Sequence, residues 1–266
     1  MGLMPINGTE LWVEDTGGSG PAVLFTHALF FSGEMYRAQI QRLRDSYRCI
    51  TVDWRGMGRS AKPLGGYDVD NLARDVMTLA DTLELPAFHW VGMSVGGVTG
   101  IRNAAQHPDR ILSLAVGGAS AEAEPIDKVV RYEALLADFA ASPFSILDRV
   151  SPILYGTRFR TDPALAAAYS RERDIIAQND GPAVQRASAA ILRRVDIRHM
   201  LPHVRCPATV FVGDEDGANG PDKARVIAKG IPEAKLHILP GIGHQPNVEA
   251  PDAVTDLLRS HLAAVR

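Results

Sequence analysis

The feature that most constrains the fold is the string Gly92-Met93-Ser94-Val95-Gly96-Gly97, which has the form G-x-S-x-G. Residues 87–91 before it predict a short strand rich in aromatic and β-branched side chains, and residues 98–106 after it predict a helix. Such strings also occur by chance on loops, but the flanking strand and helix favour a catalytic serine. A serine on so tight a turn displays its hydroxyl, and the glycines remove Cβ atoms that would clash. The pattern therefore predicts Ser94 as a nucleophile.

Composition narrows the class of protein. The chain has 266 residues, of which 46% are hydrophobic and 22% charged, with a formal net charge of -3. This balance argues against nucleic acid or an anionic membrane surface as a partner. No apolar run approaches the roughly 20 residues of a membrane span, and no signal-peptide pattern is visible, so a cytoplasmic protein is expected. Cys49 and Cys206 are predicted to be buried thiols in strands, with a disulfide between them left open.

The first part of the chain alternates between strand and helix patterns. Such alternation predicts an α/β fold with a doubly wound, mostly parallel sheet. The predicted strands cover residues 9–14, 22–26, 47–52, 87–91 and 110–116, and the predicted helices cover residues 33–46, 71–85 and 98–106.

After residue 119 the strand patterns stop. The sequence patterns predict four helices, over residues 126–140, 143–155, 162–179 and 182–194. We therefore expect an inserted all-helical cap over residues 120–197, lying across the carboxyl edge of the sheet, where open α/β sheets bind ligands. The core domain then comprises residues 1–119 and 198–266, and it resumes with strands 208–212 and 235–239 and helices 221–229 and 251–265.

Two later segments offer partners for Ser94. A serine hydroxyl is a weak nucleophile near neutral pH, so it needs a base and a group that orients the base. His244 follows a predicted strand in the glycine-rich segment 239–244 and is the candidate base, with a plain surface histidine as the alternative. Asp216 in segment 212–217 is the candidate acid because it lies past the strand end, and Asp214 is the alternative.

Metal ligation is not predicted. His199 and His203 are four residues apart, but Pro202 breaks the helix that would present both to a metal. The sequence contains neither H-E-x-x-H nor C-x-x-C. The expectation is therefore no metal and no other cofactor.

The order of these motifs resembles that of the α/β-hydrolase superfamily, over nearly the whole chain outside the cap. The resemblance is carried by Ser94 in G-x-S-x-G-G, by the segment 53–60, by Gly213-x-x-Asp216 and by Gly241-x-Gly243-His244. It is closest to the capped branch of bacterial esterases, 3-oxoadipate enol-lactonases and cofactor-free perhydrolases. The resemblance implies an α/β-hydrolase fold, with Ser94 as nucleophile, Asp216 as orienting acid and His244 as base.

The resemblance also implies an oxyanion hole made by the backbone N–H groups of Val95 and Leu29. The N–H of Val95 lies at a helix start, where it points toward a developing oxyanion. The family usually has His-Gly after the early strand, whereas this chain has His27-Ala28. That difference leaves the second donor open between Leu29 and Phe30.

These features predict hydrolysis of a small carboxylic ester or lactone through an acyl-enzyme, which places the chain among the carboxylic ester hydrolases. The base must be neutral to act, so the rate is predicted to fall as pH drops through about 6.5–7, where an ordinary imidazole is protonated. Dehalogenases and epoxide hydrolases of this fold carry aspartate at the nucleophile position, so Ser94 argues against both.

A mostly apolar substrate pocket is expected, with contributions from both parts of the chain. For most of the aromatic candidates, the alternative role is packing inside the cap without contact to a substrate. The candidates are His27, Leu29, Phe30, Phe31, Trp54, Met93, Tyr132, Phe139, Phe144, Tyr155 and Phe159. Arg158 and Arg160 are candidates to bind a substrate carboxylate, with a solvated helix end as the alternative.

Rival functions remain open on the sequence. A perhydrolase or a C–C bond hydrolase uses the same triad, although the segment 28–31 lacks the glycines usual in C–C hydrolases. A ligand-binding protein with this fold is the non-enzyme alternative. The expected partner is a small-molecule ester or lactone, without nucleic acid or membrane, and a homodimer stays open.

Overall fold

The computed structural model describes residues 1–265, and within them eight strands form one sheet. The strands are β1 Gly2–Ile6, β2 Thr9–Asp15, β3 Ala22–Thr26, β4 Arg48–Val52, β5 Phe88–Met93, β6 Ile111–Gly117, β7 Ala208–Gly213 and β8 Lys235–Leu239. Their order across the sheet is β1-β2-β4-β3-β5-β6-β7-β8. Strand β2 runs antiparallel to both its neighbours, and every pair from β4 to β8 is parallel. The predicted mostly parallel sheet is confirmed.

The central strands explain why the sheet is parallel and covered on both faces. Every residue of β3, β5 and β7 is buried, and β3 and β7 are predominantly apolar without polar alternation, with one threonine each. Strands of this kind need helices on both faces of the sheet to exclude water. Parallel strands joined by helices bring all their carboxyl ends to one edge, which is where open α/β sheets bind ligands.

Eleven α-helices lie within the described part of the chain. They are α1 Arg37–Leu43, α2 Val69–Thr82, α3 Val95–Gln106, α4 Ile126–Ala141, α5 Leu147–Leu154, α6 Thr157–Thr161, α7 Ala166–Ala177, α8 Gly181–Leu192, α9 Pro221–Gly230, α10 Pro246–Glu249 and α11 Pro251–Ala263. Helices α4 to α8 all lie between β6 and β7, as the sequence predicts for the cap. The division of the chain into a core domain and a cap domain at residues 120 and 197 stays a prediction.

Several predicted elements differ in detail from the observed ones. The helix expected over residues 33–46 begins as a 3₁₀ turn, Gly33–Tyr36, before α1. The helix expected over residues 143–155 likewise begins as a 3₁₀ turn, Pro143–Ile146, before α5. Strand β1 and the short helices α6 and α10 were not predicted, because elements of four or five residues carry too little periodicity to stand out.

The two cysteines are free. Cys49 is buried in β4, as predicted. The prediction for Cys206 was wrong, because this residue is half-buried and lies two positions before β7 begins. No helix in residues 1–265 is long and apolar enough to cross a membrane.

A buried carboxylate on α7 makes stability depend on pH. Glu172 is 7% exposed, and its Oε2 has no protein partner among the described residues. Burial raises the pKa of Glu172 from 4.5 to about 7, with Glu249 and Glu34 adding to the effect and Arg171 and Arg37 opposing it. The folded state therefore binds the proton more tightly than the unfolded state, so this group lowers stability as pH rises from 4.5 to about 7.

Glu172→Gln is expected to become more stable than the wild type as pH rises. The difference in free energy of unfolding should grow from pH 4.5 to 7 and level off above, at about 3 kcal/mol. Urea denaturation at pH 5 and pH 8 measures it, and groups that titrate in both proteins cancel in the difference. Glu10→Gln, at an exposed position, is the matched control. A Glu172→Gln difference that does not change with pH would contradict the assignment.

Candidate active site

Ser94 lies on a strained turn between β5 and α3. Its backbone has φ 52° and ψ -114°, a conformation that non-glycine residues rarely adopt. A Cβ on Gly92 would lie 2.2 Å from the carbonyl oxygen of Gly96, and one on Gly96 would lie 2.2 Å from the carbonyl oxygen of Thr26. The turn therefore requires both glycines. Ser94 itself is half-buried and lines a cavity at the carboxyl edge of the sheet.

His244 reaches the same cavity from the loop after β8. Its backbone N–H donates to the carbonyl oxygen of Leu154 at 3.0 Å, so the loop is fixed against α5. Its Nδ1 lies 2.8 Å from Oδ2 of Asp216, and the two side chains are 4% and 0% exposed. A Cβ on Gly243 would lie 2.3 Å from the backbone nitrogen of Gly156, so only glycine allows this close approach before His244.

Asp216 is held by its own loop. Its Oδ1 accepts the backbone N–H groups of Ala218 and Asn219, each at 2.8 Å. A carboxylate accepts hydrogen bonds, so this contact favours the tautomer with the proton on Nδ1, and in the neutral imidazole Nε2 then has the free lone pair. Asp214 is exposed and accepts the N–H of Gly241 at 2.6 Å instead. The structure thus brings His244 together with Asp216 and gives Asp214 a different partner.

The turn after β3 carries Leu29 and Phe30, the two candidates for the second oxyanion donor, to the cavity that Ser94 lines. The N–H of Phe31 donates to the carbonyl oxygen of Ala28 at 3.3 Å and closes the turn, while Leu29 and Phe30 line the cavity. The unusual backbone falls on Phe30, at φ 72°, and not on Ala28. Asn179, just after α7, donates its Nδ2 to the carbonyl oxygen of Phe30 at 2.8 Å. A cap side chain therefore fixes this turn.

The cavity that contains Ser94 and His244 is small, about 120 Å³, where ligand pockets are typically ~300–1,000 Å³. Its walls are mostly apolar and come largely from the segment between β6 and β7. The apolar lining residues are Leu29, Phe30, Tyr132, Leu135, Leu136, Val150, Ile153, Leu154, Ile191, Leu192 and Ala218. Of the predicted pocket residues, Leu29, Phe30 and Tyr132 line this cavity.

Three predicted pocket residues from the core do not line this cavity. His27 and Trp54 are buried and bind each other: the Trp54 N–H donates to His27 Nε2 at 2.8 Å, and Trp54 Nε1 donates to the His27 carbonyl oxygen at 2.7 Å. Burial lowers the pKa of His27 and keeps the ring neutral, although Asp53 opposes this. Met93 is fully buried in β5. All three are buried in the core, so their assignment to a substrate pocket stays a prediction.

Of the aromatic cap residues predicted to line a pocket, only Tyr132 is among the lining residues of this cavity. Phe144 is 68% exposed and points away from the apolar interior. Tyr155 is buried but stacks on Phe159 at 5.4 Å, within the cap core. Phe139 packs edge-on against Phe30 at 5.3 Å, outside the lining. The remaining core candidate, Phe31, lines a separate cavity.

The two predicted arginines do not reach the cavity. The Arg158 side chain is 75% exposed and pairs with Asp162 at 3.4 Å. Arg160 donates its Nε to the carbonyl oxygen of Tyr155 at 3.1 Å. Arg158 agrees with the alternative of a solvated helix end, whereas Arg160 is half-buried and held by the backbone before α6.

Sequence reasoning missed the polar groups of the cavity wall. They are Glu124, Lys128, Ser188, Arg194 and Asn219. Glu124 precedes α4 and Lys128 lies in its first turn, so the helix-face rule for residues four apart did not apply to this pair. No sequence signal relates Ser188 or Arg194 to that pair, because they come from the far end of the cap segment.

Comparison with known proteins assigns this chain to a family. The family described as alpha/beta hydrolase fold matches residues 21–251. The chain is 27% identical to 3-oxoadipate enol-lactonase 2 of Acinetobacter baylyi, over 88% of this chain and 85% of that one. It is 30% identical to a fluoroacetate dehalogenase of a Burkholderia species, over 94% and 90%.

A solved structure gives the same result. The thermophilic esterase of Thermogutta terrifontis superposes with a TM-score of 0.89 and 28% identity, over 97% of this chain and 94% of that one. The lactonase and esterase among these proteins support a hydrolase. The family match covers far more than half of the sequence, so the chain belongs to the α/β-hydrolase superfamily.

Proposed function

We propose that this protein is a serine hydrolase that cleaves a small carboxylic ester or lactone through an acyl-enzyme. The observation that carries the proposal is the buried 2.8 Å pair of His244 and Asp216, in one cavity with a serine on a strained turn. A nucleophile, a base and an orienting acid are what an unactivated hydroxyl requires. The dehalogenase relative does not suggest its own reaction here, since Ser94 stands where dehalogenases of this fold carry aspartate.

The first half-reaction forms the acyl-enzyme. His244 Nε2 takes the proton of Ser94 as Oγ bonds to the carbonyl carbon of the substrate. The negative charge that develops on the carbonyl oxygen is stabilised by the backbone N–H groups of Val95 and Leu29. The carbon–oxygen bond to the alcohol then breaks, and the imidazolium gives its proton to the leaving oxygen.

The second half-reaction releases the acid. His244 removes a proton from water as the water oxygen bonds to the acyl carbon, and Ser94 leaves with that proton. Asp216 stabilises the imidazolium in both halves, and its two backbone N–H partners keep it oriented. In a lactone the leaving alcohol stays attached to the acid, so the same steps give a hydroxy acid.

The proposal is tested by measuring the hydrolysis of a short panel of substrates. It comprises p-nitrophenyl acetate, butyrate and octanoate with a simple lactone. Because the cavity is only about 120 Å³, we expect acetate or butyrate to exceed octanoate in kcat/KM by about tenfold or more. A parallel series with hydrogen peroxide detects peracid if perhydrolysis is the main reaction. A folded protein that turns over no ester and no lactone would contradict the proposal and favour a ligand-binding role.

Asn179→Ala is expected to lower kcat about three- to tenfold with little change in KM. The change removes the hydrogen bond that fixes Phe30 and so loosens the proposed oxyanion turn, whose donors act mainly in the transition state. Steady-state kinetics on a neutral ester measures this effect. The exposed neighbour Gln178→Ala is the control. An Asn179→Ala protein with wild-type kcat would contradict this role, because the turn would then hold its shape without the hydrogen bond from Asn179.

A further inference from the structure

A cluster of three charged side chains forms part of the wall of the Ser94 cavity. Glu124 Oε1 accepts from Arg194 at 2.7 Å, and Glu124 Oε2 lies 2.8 Å from Lys128 Nζ. The side chains of Glu124, Arg194 and Lys128 are 5%, 7% and 17% exposed. One carboxylate therefore faces two cations, and the cluster carries a net positive charge inside a mostly apolar cavity.

The polar wall around this cluster keeps buried atoms of both kinds without a hydrogen bond in the described residues. Arg194 Nε and the Ser188 hydroxyl can donate, whereas Glu124 Oε2, which lies beside Lys128, and Asn219 Oδ1 can accept. Lys128 donates to the carbonyl oxygen of Ala218 at 2.9 Å, and its Nζ lies 5.5 Å from the centroid of the Tyr132 ring. Arg194 donates through NH1 to the carbonyl oxygen of Ile191 at 3.3 Å, but its Nε has no partner among the described residues. The hydroxyl of Ser188, 1% exposed, likewise has no protein partner.

The balance of charge favours an anion as the missing partner. Burial alone would raise the pKa of Glu124, but Arg194 and Lys128 outweigh burial and lower it, so the carboxylate is ionised at neutral pH. Glu124 neutralises one of the two cations and leaves the other uncompensated. A buried charge and buried unpaired donors destabilise a protein unless a bound group of opposite charge satisfies them.

We propose that the cavity recognises a carboxylate on its substrate, through Lys128 and Arg194 with Ser188 as a further hydrogen-bond partner. The natural substrate is then a small ester or lactone that also carries a free carboxylate, placed away from the carbonyl group that Ser94 attacks. This inference rests on the proposed function, whose catalytic groups line the same cavity.

A clamp between the cap and the core is the alternative role for this cluster, since Lys128 on α4 reaches Ala218 in the loop after β7. A clamp accounts for the ion pairs. It does not account for the unpartnered Arg194 Nε or Ser188 hydroxyl, which belong to cavity-lining residues. A clamp also predicts no preference for charged substrates, so the two roles give different kinetics.

Two isosteric pairs of esters separate these roles. In the first pair, monomethyl succinate carries a carboxylate where methyl 4-methylpentanoate carries an isopropyl group. In the second, O-acetylglycolate is compared with isobutyl acetate, which moves the charge to the alcohol side. We expect the anionic member of at least one pair to have about tenfold higher kcat/KM, the effect of one charged hydrogen bond.

The variants Lys128→Met and Arg194→Met are each expected to lower this anionic-to-neutral ratio about tenfold, mainly through KM. Ser188→Ala, which removes only an unpartnered hydroxyl, should lower it about threefold and leave the fold intact. Arg158→Met removes an exposed cap cation outside the cavity and is the matched control, with an unchanged ratio. A preference for the neutral ester in both pairs, or a ratio that no cavity variant changes, would overturn the inference.

Direct measurement of anion binding tests the carboxylate site independently of the proposed reaction. Isothermal titration of Ser94→Ala protein with monomethyl succinate and with O-acetylglycolate measures recognition without turnover. We expect at least one of them to bind, and to bind at least about tenfold more weakly once Lys128→Met is added. Binding of this kind in a wild-type protein that cleaves none of the four esters would refute the proposed reaction and retain the carboxylate site. Ester turnover without any preference for the charged esters and without anion binding would refute the carboxylate site and retain the proposed reaction.

Discussion

Replacement of Ser94 by alanine is expected to reduce kcat for a short-chain ester on the order of 10⁶-fold, the loss seen when a serine triad loses its nucleophile. Oγ is the atom that bonds to the acyl carbon, so no neighbouring group can take over its role. Alanine keeps the Cβ and therefore the strained turn at φ 52°. The variant should thus fold and melt like the wild type, which a thermal scan measures alongside the kinetics.

The interpretation of Ser94→Ala depends on that unchanged stability. Residual activity of about 10³- to 10⁴-fold over water is compatible with the proposal, because the oxyanion donors and the cavity remain. A folded variant that retains more than about a tenth of wild-type kcat would show that another group performs the attack.

Asp216→Asn is expected to lower kcat about 10⁴-fold. The two backbone N–H groups of Ala218 and Asn219 hold the Oδ1 position and require an acceptor there. The new NH₂ group must then face His244 Nδ1, which becomes an acceptor, and the proton moves to Nε2. The base is thereby in the wrong tautomer to accept the Ser94 proton. Steady-state kinetics at a pH where wild-type activity is highest measures the loss.

Asp214→Asn is the matched control for this prediction. Asp214 is two residues away, exposed, and bound only to the N–H of Gly241 among its side-chain partners in the described residues. Its replacement should change kcat less than about threefold, since surface substitutions have small effects. Equal losses in the two variants would contradict the distinct roles given to the two acids.

Much of the fold and the centre of the site are readable from the sequence, because they depend on local patterns. Buried apolar runs such as β3 and β7 predict parallel strands, and glycines 92 and 96 fit a turn that tolerates no Cβ. The order of Ser94, Asp216 and His244 follows the order of the strands that carry them. The sequence suggests these residues as partners, and the contact of His244 with Asp216 agrees with that suggestion.

The substrate cavity was predicted far less well, because it depends on how the cap helices rotate and pack. Tyr155 and Phe144 lie eleven residues apart and look alike in the sequence, yet one is buried in the cap core and the other faces outward. Arg158 and Arg194 are equally charged, but only Arg194 lines the cavity. Helix rotation is decided by long-range packing, for which one sequence gives no periodic signal.

The central hypothesis is that Ser94 is an activated nucleophile, and a fluorophosphonate probe tests it without knowledge of the substrate. The measurement is intact mass after labelling at neutral pH, followed by peptide mapping, with Ser94→Ala as control. We expect a single adduct on Ser94 that is absent from the control. No adduct on the folded protein, or an adduct on another residue, would contradict the hypothesis that Ser94 is activated by His244 and Asp216.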